Sequence, residues 1–72
     1  MVMRYAIVIE DAGSNLCAYV PDLPGCMATG ATIDEVESEI RGAIEFHLEG
    51  MRLQGLPATP PTSQVDYVEV TA

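Results

Sequence analysis

A chain of 72 residues holds one domain (1–72), near the lower limit at which a core supports itself. Eleven acids against three bases give a net charge of −8, which repels phosphate backbones, argues against direct nucleic-acid binding and suits a basic protein partner. An apolar fraction of 49% exceeds what one pair of layers can hide, so a homo-oligomer, dimer or tetramer, is expected, while no segment approaches the ~20 apolar residues of a membrane span.

Met3 to Glu10, with Tyr5, Ile7, Val8 and Ile9, is rich in β-formers and predicts a first strand. Arg4 interrupts the apolar start and no small-residue cleavage site follows, so the segment reads as a strand rather than an export signal. The expectation is therefore a cytoplasmic chain whose two cysteines stay reduced. Asp11 to Asn15 is turn chemistry of hairpin length. Leu16 to Val20 predicts a second strand, with Leu16, Ala18 and Val20 on one face and Cys17 and Tyr19 on the other.

Asp22-Leu23-Pro24-Gly25-Cys26 comes next. Pro21 halts the preceding ladder, and Pro24-Gly25 suits the two central positions of a type II turn. Cys26 to Thr29 predicts a short third strand. Thr32 and Glu35 have capping-box spacing and open a helix from Ile33 to about Gln54, closed by Gly55 and Pro57. At about 100° per residue, Val36, Ile40, Ile44, His47 and Leu48 share one apolar stripe with Ile33, Ala43 and Met51. Gly42 and Gly50 each cost about 1 kcal/mol relative to alanine inside a helix, a penalty that tertiary packing is expected to offset. Phe46 and Leu53 lie off the stripe, either beneath a connector or on a partner surface. Leu56 to Gln64, with Pro57, Pro60 and Pro61, predicts an extended connector, and Val65 to Val70 a fourth strand.

This order predicts an α+β fold, β-β-β-α-β. Strands one to three form a meander and a right-handed crossover returns strand four parallel to strand one. The result is a four-stranded mixed sheet, order 3-2-1-4, with the helix on one face. Alternation groups Tyr5, Ile7 and Ile9 on strand one and Val65 and Tyr67 on strand four. One register gathers Tyr5, Tyr19 and Tyr67 on the face away from the helix, an apolar patch for self-association. The competing register puts Tyr5 under the helix.

The Asp-Leu-Pro-Gly-Cys turn, the Thr29-Gly30 strand exit and the Thr-x-x-Glu helix start resemble the HicB-type antitoxin domain. The likeness runs on through the helix to Gly55 and the prolines beyond. It implies a truncated ribonuclease H-like arrangement and a small basic toxin partner that cleaves messenger RNA, covered over its RNA-binding and catalytic surface. Many members also carry a C-terminal DNA-binding module; Ala72 follows directly on strand four, so a short form without that module is expected.

No catalytic set emerges. His47, the single histidine, sits inside the apolar stripe without a sequence neighbour to make it a general base or to form a metal pair. Cys17 and Cys26 lack Cys-x-x-Cys spacing and read as small packed residues, with no fourth ligand for zinc beside them and His47. Two-metal phosphodiester hydrolysis needs converging carboxylates, and Met3 to Ile9 contains none. The expectation is a binding protein with no cofactor and no metal. The alternative is a free-standing oligomeric structural or ligand-binding domain without a toxin.

Overall fold

The computed structural model describes residues 2–72; Met1 lies outside them. Three strands, β1 (Val8–Asp11), β2 (Leu16–Tyr19) and β3 (Met27–Gly30), form an antiparallel sheet in the order β1-β2-β3. One helix, α1 (Ile33–Leu53), packs mainly on β3 and β2.

The four-stranded mixed sheet is corrected at two points. β1 begins at Val8, not Met3, because its ladder partner stops. Val8 pairs with Tyr19, and beyond Tyr19 the chain turns: Leu23 N–H donates to the Val20 carbonyl at 3.1 Å. Residues 3–7 therefore have no strand to pair with. Secondly, Val65 to Val70 forms no strand. The connector before it is tied down beside the Asp22 turn, and the chain beyond is not laid along β1.

Pairing fixes which face each side chain takes. Ile9 sits opposite Ala18, which is buried, and Val8 opposite Tyr19, which in turn sits opposite Met27. Ile9 thus faces the helix, and alternation carries Ile7 and Tyr5 to the same side; all three pack against the core. The grouping of Tyr5 with Tyr19 and Tyr67 is corrected accordingly: Tyr5 lies on the helix side. The opposite face of the sheet presents the row Val8, Tyr19 and Met27.

The core is Ala18, Val20, Leu23, Cys26, Val36 and Ile40. Half of it comes from the loop side of the fold, since Val20, Leu23 and Cys26 all belong to the segment between β2 and β3. Leu23 and Val36 are fully buried, and burying a side chain of this size contributes roughly 1.5–3 kcal/mol. Helix and sheet meet without a spacer at Gly30, where a Cβ would lie 2.7 Å from the Val36 amide nitrogen. Glycine is needed there for close approach.

Both helix ends are closed. At the start, the Thr32 hydroxyl accepts from the Glu35 N–H at 3.1 Å, while the Glu35 carboxylate accepts from the Ala31 N–H at 2.7 Å. At the finish, Gly55 N–H donates to the Arg52 carbonyl and Leu56 N–H to the Met51 carbonyl, with Gly55 at φ 73°. That is a Schellman ending, in which a left-handed residue lets the chain reverse onto the last turn's free carbonyls.

Candidate partner interface

The Asp22–Cys26 segment is a corner with two jobs. Cys26 N–H donates to the Leu23 carbonyl at 3.0 Å, and Gly25 between them stands at φ 83°, which is type II geometry. Leu23 and Cys26 point inward, and burial raises the Cys26 thiol pKa. Asp22 points outward and holds the far end of the chain. Its carboxylate accepts from the Thr62 N–H at 3.0 Å and the Thr62 hydroxyl at 3.1 Å, and from both donors of Ser63. Those bonds, led by the Ser63 N–H, keep the Asp22 pKa below its ordinary value. Tyr5 adds a second tie by donating its hydroxyl to the Thr59 carbonyl. Burial, then the nearby Asp22 charge, raises the Tyr5 pKa. Residues 59–63 are thereby strapped across the end of the sheet.

Thr62 and Ser63 carry no signal in the sequence beyond polar residues after prolines. Their role appears only when the turn and the strap meet.

The outer face of α1 carries the second feature. Phe46 is 83% exposed and Leu53 72%, so neither packs beneath the connector. Seven residues apart, they share one helix face with Glu35 and Glu39. Gly42 and Gly50 stand four residues before and after Phe46. A Cβ at either would meet nothing within 4 Å, so no close approach within the described residues requires glycine there. Phe46 projects between two bare stretches of backbone.

Beside Phe46 a groove of about 500 Å³ runs between the helix and the exit of the turn, with Met27, Ala43, His47 and Gly50 among its walls. Met27, 66% exposed, borders this groove where β3 begins, while its pairing with Tyr19 sets its side chain toward the open face of the sheet. Sequence reading picked out Phe46 and Leu53 but missed the groove beside them; the i±4 glycines around Phe46 were the available clue. Acid dominates around the helix. Its one ion pair among the described residues is exposed, Arg52 with Glu49, which lowers the Glu49 pKa and raises that of Arg52.

The remaining candidates fall apart in space. Tyr19 lies on the open sheet face, and Tyr67, 89% exposed, lies on the C-terminal arm. Cys17 is half-buried on β2, Cys26 is in the core, and both are free thiols. Among the described residues no three of His, Cys, Asp and Glu are grouped to hold a metal ion, and no helix is long and apolar enough to cross a membrane.

A model of the family described as HicB-like antitoxin of bacterial toxin–antitoxin system matches residues 5–71. The chain belongs to that family. The match takes in the Asp22 corner, the helix and the strap together. A HicB-like domain of this kind is 39% identical over 64 residues to an uncharacterised 14.9 kDa protein of the rep-hol intergenic region of Haemophilus phage HP1, covering 86% of this chain and 48% of the phage protein. The chain thus spans about half the length of that relative. It is also 42% identical over 48 residues to a UPF0150 protein of Archaeoglobus fulgidus, covering 65% of this chain and 70% of the relative. No solved structure matches.

Proposed function

We propose that residues 1–72 act as one antitoxin domain that neutralises a small basic mRNA-cleaving toxin by covering its RNA-binding and catalytic surface. The outer face of α1 is the contact, with Phe46 and Leu53 as its apolar anchors. The observation that carries this is Phe46 itself: an 83% exposed ring flanked by two glycines that the chain's own packing does not require. Aromatic side chains, phenylalanine among them, are enriched in protein interfaces relative to the rest of the surface, and bare backbone on either side lets a partner approach closely. The net charge of −8 supports a basic partner, because complementary charge speeds encounter and excludes wrong partners.

The domain in this reading is non-catalytic, binds no nucleic acid directly and works in the cytoplasm. It also self-associates, and its fold is of the truncated ribonuclease H-like kind once a fourth strand joins the sheet. The exposed apolar arm beyond Val65 supports self-association.

The test is inhibition. A small basic protein captured by the domain from native lysate is purified and its cleavage of messenger RNA measured with increasing amounts of the domain; capture of no such protein would overturn the toxin reading. Cleavage should be suppressed at equimolar domain, and Phe46→Asp should restore it while leaving the domain's circular dichroism unchanged. Cleavage indifferent to the domain would overturn the toxin reading. Inhibition undiminished by Phe46→Asp would overturn the assigned surface.

A further inference from the structure

We propose that residues 65–70 of one copy add as a strand along residues 3–7 of a second copy, reciprocally, so that two chains complete each other's sheets.

Two halves of an unmade interaction lie on the same chain. The first is the arm. Val65-Asp66-Tyr67-Val68-Glu69-Val70 is rich in β-formers, yet no backbone–backbone hydrogen bond reaches residues 57–72 among the described residues. Tyr67, Val68 and Val70 are 89%, 85% and 81% exposed. The second half is the edge. β1 pairs with β2 alone, and residues 3–7 continue it with no ladder partner on either side. A strand left like this is a template for pairing with another chain.

The space beside that edge is shaped for such a strand. A groove of about 490 Å³ separates residues 3–7 from the helix, floored by Ile40, Ile44 and Leu48. These belong to the helix's apolar stripe: Ile40 is in the core, and Ile44 and Leu48 are partly buried against it. Valine and tyrosine side chains from an added strand would fill it, as alternate side chains do when a strand joins a sheet edge. Charge agrees. Arg4 and Arg41 line this groove, two of the chain's three bases, and the one ion pair among the described residues is elsewhere, on Arg52. The arm brings Asp66 and Glu69. Glu37 and Glu45 also border the groove, and they stand on the helix beside Arg41.

A second copy fits better than the chain's own arm. The strap is pinned at Thr59, Thr62 and Ser63. Ser63 to Val65 already lie beside Arg4 to Ala6, and from there the arm runs out into solvent. The molecule measures 48 Å along its longest axis against 26 and 20 Å across the others. Each copy offers one donor arm and one acceptor edge, so a two-fold axis satisfies both and closes the assembly. This inference is independent of the toxin reading.

Sedimentation equilibrium on the full chain, followed by isotope-filtered NMR on a mixture of labelled and unlabelled copies, tests it. A dimer of the 7.7 kDa chain is expected, with intercopy contacts joining Tyr67 and Val68 to Tyr5 and Ile7. Val68→Pro should weaken self-association by roughly tenfold or more, the effect of one or two lost net hydrogen bonds. Tyr19→Glu, on the open sheet face, should leave the dimer intact. A monomer overturns the proposal, as does a dimer whose arm contacts are all within one copy. So does a dimer split by Tyr19→Glu and indifferent to Val68→Pro.

Discussion

Asp22 and Ser63 meet across most of the chain: the Ser63 N–H donates to Oδ2 of Asp22 at 2.9 Å and its hydroxyl to Oδ1 at 2.8 Å. A turn that closes the core on its inner side thus anchors the C-terminal strap on its outer side. The bond set has a pH signature. Hydrogen bonds led by Ser63 lower the Asp22 pKa below its ordinary value, so the folded value lies under that of the released chain. The anchoring is then fully present above the ordinary aspartate range and is lost as pH falls through the lowered value. The Ser63 amide resonance should titrate with a midpoint below that of a free aspartate. At neutral pH, Asp22→Asn should raise protease sensitivity within residues 57–65 while the helix signal stays. A Ser63 midpoint at the ordinary aspartate value would show the strap is not held this way.

Gly25 and Gly30 should respond differently to the same substitution. At Gly25 a Cβ meets open space but φ is 83°, so the penalty is backbone strain. Gly25→Val is expected to cost about 1–2 kcal/mol, and Gly25→Asn distinctly less, because asparagine tolerates left-handed backbone. At Gly30 the clash is with the backbone of Val36, so even Gly30→Ala should cost on the order of 1–3 kcal/mol, and asparagine should offer no relief. Urea midpoints measure both; equal responses to asparagine at the two sites would mean one cause had been misread.

Thr32 bears on helix stability alone. Thr32→Ala leaves the Glu35 N–H without its partner and should destabilise by about 1 kcal/mol, with Thr32→Ser close to neutral. Thermal melts followed by circular dichroism would decide it, and an unchanged midpoint in Thr32→Ala would show that solvent caps the helix as well.

Gly42 and Gly50 should separate stability from binding. Since neither position is crowded within the chain, Gly42→Ala and Gly50→Ala are each expected to stabilise the fold by about 0.5–1 kcal/mol. Both should nonetheless weaken toxin inhibition, because a methyl beside Phe46 holds the partner's backbone away. Variants that gain stability and inhibit as well as the parent would remove the glycines from the interface.

The amino-acid sequence by itself determined the local elements: a helix bounded by Thr32 and Gly55, the corner at Pro24-Gly25, and the inward face of β2. Each rests on short-range chemistry, where a cap, a turn residue or an alternation acts within a few positions. Its family was legible for the same reason, since the corner and the cap lie close together in the chain. Tertiary structure alone decided the rest. The side taken by Tyr5 depended on pairing Ile9 with Ala18, and alternation admits either face until a partner strand sets the register. The fate of Val65 to Val70 depended on where the strap was anchored, through a carboxylate some forty positions away whose meeting with Ser63 no local pattern encodes. Gly42 and Gly50 belong here too: a wheel shows their angle on the helix, but only the packed molecule shows that no described residue comes within 4 Å of a Cβ added at either.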